Sequence, residues 1–326
     1  MEAQRYPADY DGIVSCAPAL DLTNIVASFV RNIQAAYPNP TSLEPLVTVE
    51  NLQLLEQKIL EKCDSRDGVK DGVLDDPRKC DFEVRDLPLC RGEQTAATCV
   101  TKAQRQVIER IYSPTSSQRA AVYPGQPFGA EGQPVGWPLW ITGRTSSAVP
   151  NGRGVSLQYQ FATEFFKYFV FGRPDWDYST YDLSNWRSDT RAVAEILNAD
   201  NPDLSGFTAR GGKLILAHGW ADPALNPLTT ISYYERVRKL DRNADDHVRL
   251  FMMPGVLHCR NGNGPDTVDW YSVIADWVEG GRAPTRVIAQ KLGADGQVTN
   301  ARPLCAYPMR AVYEKGNTTD AASFAC

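Results

Sequence analysis

Histidine is scarce here, three residues in 326. With so few, and with no two cysteines at C-x-x-C spacing, the donor set of a zinc site is missing. Basic charge is not in excess either. There are 34 Lys and Arg against 39 Asp and Glu, a net charge of −5, which argues against nucleic acid or an anionic membrane as the main partner. No apolar run approaches the length of a membrane span. The G-x-S-x-G elbow that presents the serine of many hydrolases occurs nowhere in the sequence. Ser15, at the end of the strand-like run DGIVSCA, lacks the following glycine and reads as a small residue at a strand end.

Cysteine, by contrast, is plentiful. Six of the eight fall in close pairs, Cys63 and Cys80, Cys90 and Cys99, and Cys305 and Cys326. Such spacing reads as local disulfides formed in an oxidising compartment. The sequon at Asn317 fits secretion, whereas the opening MEAQRYPADYDG looks like a helix end running into a turn and not like an export signal.

The stretch 212–259 organises the rest. Its run KLILAHG predicts a buried strand, followed by the loop HGWADP with Asp222. A helix over 228–240 comes next, then a second strand, HVRLFMMP, and the loop PGVLHC with His258. A strand, a helix and a parallel strand put both side chains at the carboxyl edge of one sheet, where open α/β sheets bind ligands. An acid followed by a histidine in this order matches the last two members of the Ser…Asp…His triad of α/β-hydrolases. His218 is expected to hydrogen-bond near its strand end, and His247, within DRNADDH, to be solvated.

Between about 41 and 201 the strand pattern vanishes. Helices are expected over 46–62 and 103–111, followed by a Gly- and Pro-rich stretch over 123–154 too long for a simple connection. Phe161, Phe165 and Phe169 fall on one helical face, the spacing of a core stripe. After His258 the pattern predicts an amphipathic helix over 266–279 with Trp270, Ile274 and Trp277 on one face, then a two-stranded hairpin.

The most specific local signal is the acidic run CDSRDGVKDGVLDDPRKC over 63–80. Asp64, Asp67 and Asp71 are hard oxygen donors, and Gly68 and Gly72 permit the sharp turns that gather them. The backbone carbonyls of Val69 and Val73 alternate with them and can complete a calcium shell. This is not an EF-hand, because the oxygen ladder and the bidentate glutamate are missing. A Cys63–Cys80 bond would restrict the loop, worth roughly 3 kcal/mol by loop entropy.

MEAQRYPADYDGIVSCAPA, the acidic loop, HGWADP and PGVLHC, in this order, resemble the tannase and feruloyl esterase family of secreted serine esterases. The resemblance implies an α/β fold: a partial α/β-hydrolase sheet, residues 1–40 and 205–326, with a large inserted calcium-binding lid domain over 41–204. It implies Asp222 and His258 as the acid and base of the triad, and a structural Ca2+ held by Asp64, Asp67, Val69, Asp71 and Val73. The substrate implied is a small aryl ester of the feruloyl or galloyl type. The family's serine lies in a G-C-S-x-G-G stretch ahead of the segment resembling MEAQRYP, so residues 1–326 alone are expected not to turn over esters. In the family, the cysteine after the histidine, here Cys259, is bonded to the one beside that serine. Cys16 and Cys259 are therefore both free, or bonded to each other if their strands are adjacent. Trp137, Trp140 and the aromatic run 161–171 are candidates for the substrate wall. A second reading is a non-catalytic secreted protein that keeps the lid, its calcium and a pocket for a phenolic ligand.

Overall fold

The structure is a computed structural model that describes residues 1–91, 97–117, 120–144 and 154–326. Its contacts divide the chain into two units. One comprises Met1–Leu20, Asp64–Pro77 and Ala199–Cys326, the other Asp21–Cys63 and Arg78–Asn198.

The first unit is built on a parallel sheet of three strands, β1 (Gly12–Cys16), β2 (Lys213–Gly219) and β3 (Val248–Met253), in that spatial order. The register pairs Cys16 with Ala217 and Gly219 with Met253. Central strand β2 is apolar on both sides because both are covered, as a parallel strand between helices must be. Leu214 and Leu216 join Ile231, Tyr234, Val237 and Leu250 in one cluster; Ile215 and Ala217 join Phe251, Trp277, Val287 and Leu304 in another. β1 is only half-buried along its length.

The crossover from β2 to β3 is the helix Pro227–Leu240, one residue longer than the sequence predicts. The Asn226 side chain accepts from the Leu228 N–H at its start, and Pro227 opens the first turn without losing a hydrogen bond. The helix expected from 266 begins instead at Trp270. The N–H groups of Asp266 and Thr267 both donate to the carbonyl of Gln290 and keep that backbone extended until Asp269 caps the helix. The hairpin predicted after it is formed by β4 (Arg286–Leu292) and β5 (Val298–Cys305).

The second unit is helical. Helix Leu22–Ala36 is buried over most of its length and packs on helices Leu157–Glu164 and Lys102–Tyr112. Polar contacts fix these packings. Arg31 donates to the carbonyls of Arg110 and Ser113 at the end of one helix, and Asn32 donates to Gln158 on the other. These contacts place residues 21–40 with the helical unit, where the sequence reading grouped them with the sheet. Helix Val49–Cys63 matches its predicted range closely.

The aromatic stripe is a correction. Phe165 is buried, but Phe161 and Phe169 are 54% and 63% exposed. The helix passes into a π-helical turn at Phe165–Val170, and Ala162, Phe165 and Phe166 are the buried residues here. Phe166 stacks on Trp176 with ring centroids 4.9 Å apart, while Phe161 lies parallel to Trp140 at 6.2 Å. Part of the Gly- and Pro-rich stretch, 145–153, lies outside the described residues. All three expected disulfides are present, Cys63–Cys80, Cys90–Cys99 and Cys305–Cys326. Among the described residues no helix is long and apolar enough to cross a membrane.

Candidate active site

Two loops leave the carboxyl edge of the sheet and interlock. The one after β2 carries Asp222, the one after β3 carries His258. The Trp220 N–H donates to the carbonyl of Met253 and the Ala221 N–H to that of Val256, tying one loop to the other. Gly219 is what permits this approach. A β-carbon there would lie 2.2 Å from the Val256 carbonyl oxygen and 2.3 Å from that of Leu257, so any side chain would push the loops apart. The far side of the His258 loop is fixed as well. The Asp266 carboxylate accepts from the Asn261 N–H at 2.7 Å and from Lys291 at 3.3 Å, and Lys291 also donates to the Gly262 carbonyl.

The two side chains meet. His258 Nδ1 is 2.9 Å from Asp222 Oδ2. Asp222 is fully buried, and its other oxygen, Oδ1, accepts from the N–H groups of Ala224 and Leu225 at 2.8 and 3.0 Å. Burial alone would push this carboxyl up. Hydrogen bonds from His218 and His258, with the electrostatic attraction of the two rings, overcome that and hold it below the usual range. An ionised carboxylate has no hydrogen to give, so the proton of this contact sits on His258 Nδ1 and Nε2 carries the lone pair. The bond to Asp222 also raises the His258 pKa, against the opposing effect of partial burial. The imidazole remains 37% exposed while its partner is sealed off.

His218 contributes more than the sequence indicated. It lies on β2 with no exposed surface. Its Nε2 is 3.2 Å from Asp222 Oδ2 and 3.1 Å from the Leu225 carbonyl, and its Nδ1 is 2.8 Å from Thr230 Oγ1. Both partners of Nε2 are acceptors, so Nε2 holds the proton and Thr230 donates to Nδ1. Asp222 is thus clamped by two histidines and two backbone amides, and Thr230, on the crossover helix, orients the second ring. The i,i+4 spacing of His218 and Asp222 across a strand end was the available signal. His247 stands apart from this group, its Nδ1 3.1 Å from the Gly212 carbonyl and 3.4 Å from Lys213 Nζ.

Cys16 ends β1, and Cys259 follows His258; both are free thiols, half-buried. Interaction with Cys259 raises the Cys16 thiol, and burial adds to the effect. The same interaction lowers the Cys259 thiol, helped by the neighbouring His258 ring and opposed by burial.

The acidic loop belongs to the first unit, where the sequence reading placed it in the lid. Its arginine partners explain this. Asp71 accepts from Arg302 on β5 at 2.7 Å, Asp75 from Arg310 at 2.8 Å, and Asn263 donates to the Gly72 carbonyl. Arg302 is almost wholly buried, and neither arginine was marked by any local sequence pattern. Gly68 and Gly72 adopt positive φ, 92° and 73°, as the turns require. Asp64 accepts from the N–H groups of Gly72 and Asp71, Asp67 from Val69, and Asp71 from Val73. Burial pushes the Asp67 carboxyl up to about 6, with repulsion from Asp71 adding to it, and burial also raises Asp64. The donor chemistry, three carboxylates and two carbonyls on one tight turn, fits a hard divalent cation. Among the described residues, however, no three acidic, histidine or cysteine side chains are gathered as they would be around an ion.

A parallel sheet with an Asp and then a His on consecutive carboxyl-edge loops, hydrogen-bonded to each other, is an α/β-hydrolase-type arrangement. The solved structures agree. Feruloyl esterase B from Aspergillus oryzae superposes with a TM-score of 0.86 at 27% identity, over 100% of this chain and 66% of that one. Tannin acyl hydrolase from Aspergillus niger shares the fold, with a TM-score of 0.71 at 23% identity over 98% of this chain and 60% of that one. The "Tannase and feruloyl esterase" family model matches residues 1–326, and the chain belongs to that family. An uncharacterised esterase of Xanthomonas campestris is 34% identical over the whole of this chain and 62% of its own length. Mono(2-hydroxyethyl) terephthalate hydrolase of Piscinibacter sakaiensis is 31% identical over the whole chain and 61% of its length. The chain therefore spans a little over three-fifths of the relatives it matches.

Proposed function

We propose that residues 1–326 carry the base and the acid of a serine carboxylic ester hydrolase acting on small aryl esters. The observation that carries this reading is the 2.9 Å contact between His258 and the buried Asp222. With Nδ1–H held by Asp222, Nε2 of His258 is the atom that takes the proton from a serine hydroxyl as it attacks the ester carbonyl. Buried Asp222 fixes the ring's orientation and offsets the charge of the imidazolium that forms. The same proton then goes to the departing alcohol, and water repeats the sequence on the acyl-enzyme to free the aromatic acid.

The nucleophile of this reading is not among the serines of 1–326. Purified 1–326 is expected to leave methyl ferulate and methyl gallate intact; rapid turnover of either by this polypeptide would refute that part of the proposal. Asp64, Asp67 and Asp71, with the Val69 and Val73 carbonyls, would hold a calcium ion, whose role is to neutralise their mutual repulsion and fix the loop. Its place is structural, and no proton transfer passes through it. Three disulfides suit an extracellular protein, which is the setting we assign.

A further inference from the structure

We propose that Glu131 is a proton-operated latch in the helical unit: protonated, it holds the Gly- and Pro-rich segment 124–143 closed around Tyr112, and ionised, it lets the segment open. The segment wraps that side chain. Phe128 meets the Tyr112 ring edge-on with centroids 4.8 Å apart, and Trp137 lies against it at 5.0 Å. The Tyr112 hydroxyl and the Gly129 N–H both donate to Glu131 Oε1 at 2.7 Å. Reaching this position takes an uncommon backbone. Ala130, beside Glu131, holds a φ of 59°, and Gly136 packs so closely on the Ala130 carbonyl that a β-carbon would lie 2.1 Å from its oxygen. Glu131 has no exposed surface, and its Oε2 is buried with no hydrogen-bond partner among the described residues.

The surroundings favour the neutral acid. The titratable groups that face Glu131 are Tyr112, from helix Lys102–Tyr112, and Glu56, from helix Val49–Cys63. Glu56 itself holds the segment, accepting from the Gly132 N–H at 3.1 Å and from Gln133 at 3.3 Å. The cation that follows the segment, Arg144, donates instead to the Pro134 carbonyl at the surface. Burial pushes the Glu131 carboxyl up to about 7, with Glu56 adding to it and the bonds from Gly129 and Tyr112 opposing it. When the segment opens, the carboxyl meets water and ionises at its ordinary value of 4.5. The closed state therefore keeps a proton that the open state releases. Its advantage is complete below 4.5, shrinks about tenfold for each pH unit above that, and is gone once pH passes about 7. Trp137 and Trp140, both candidates for a substrate wall, ride on this segment, so the latch decides whether they are held in place.

The test is amide hydrogen exchange of 1–326, read on peptides within 124–143 across the neutral range and corrected for the intrinsic pH dependence of exchange. Opening of the segment is expected to rise by on the order of a hundredfold from about pH 5 to about pH 7 and then to level off. Glu131→Gln keeps the acceptor and cannot ionise, so it is expected to show no rise. Tyr112→Phe removes a donor to the carboxylate, so its rise is expected to run on past the pH at which the unsubstituted chain levels off. Opening that ignores pH in the unsubstituted chain, a rise that survives in Glu131→Gln, or one that levels off at the same pH in Tyr112→Phe would each overturn the proposal. The phenylalanine comparison decides the matter if the glutamine variant fails to fold.

Discussion

His258→Ala is expected to lower kcat for hydrolysis of methyl ferulate by on the order of 10⁶, and Asp222→Asn by about 10⁴, if 1–326 works as proposed together with a serine nucleophile. The two values differ for a physical reason. Without the imidazole there is no base for the serine, and the catalysis that remains comes from binding and from stabilising the oxyanion. With asparagine in place of Asp222 the base is still there, but an amide can present its N–H to Nδ1, which favours the tautomer whose Nε2 carries the proton and cannot accept another. KM is expected to change little in both, because neither side chain is asked to bind the ground state. Steady-state kinetics on methyl ferulate measure this. A loss of less than tenfold in His258→Ala would mean the base lies elsewhere.

Asp222 also has a structural part, and the asparagine variant separates it from the catalytic one. Its Oδ1 satisfies two backbone N–H groups and its Oδ2 both histidines, all in the interior. Alanine at this position would leave those donors unpaired, each costing about 1–3 kcal/mol. For that reason it is the poorer probe of mechanism.

Removal of the calcium ion proposed above is the second large effect expected. Chelation is expected to lower the melting temperature of the chain by roughly 5 °C, the size that follows if the ion stabilises by about 2.7 kcal/mol at a hundredfold excess over its dissociation constant. The cause lies in the loop itself. Burial raises Asp64 and Asp67, and the charge of Asp71 adds to both, so a bound cation would offset the cost of keeping them ionised. Of the three, Arg302 donates a hydrogen bond to Asp71. Calorimetry with and without a chelator reads the shift. Asp67→Asn, which removes one charge, is expected to shrink it. A melting temperature that ignores the chelator would remove calcium from the account and leave Arg302 and Arg310 as the loop's counterions.

Much of the sheet unit was legible because its signals are local. KLILAHG and HVRLFMMP are continuous apolar runs of strand length, and the helix between them carries its own cap and proline. Their order alone puts Asp222 and His258 at one edge. The acidic loop was equally plain as a pattern, yet its place in the fold was not, since Arg302 and Arg310 lie more than 200 residues away in sequence. Helix Leu22–Ala36 went to the other unit through contacts of the same long-range kind. The second histidine on Asp222 was hidden for another reason: a strand residue and a loop residue four apart meet only because the chain turns sharply after Gly219. The aromatic run misled in its burial and not in its spacing: Phe165 and Phe169 stack with ring centroids 5.5 Å apart, yet Phe161 and Phe169 face solvent.

The most direct test of the account is the titration of His258 itself, followed by NMR in unsubstituted 1–326 and in Asp222→Asn. The pairing with Asp222 predicts an imidazole that titrates above the ordinary histidine range and falls when the carboxylate becomes an amide, so that the base form is lost as pH drops through the raised value. A His258 that titrates at the ordinary value, unmoved by the substitution, would contradict it.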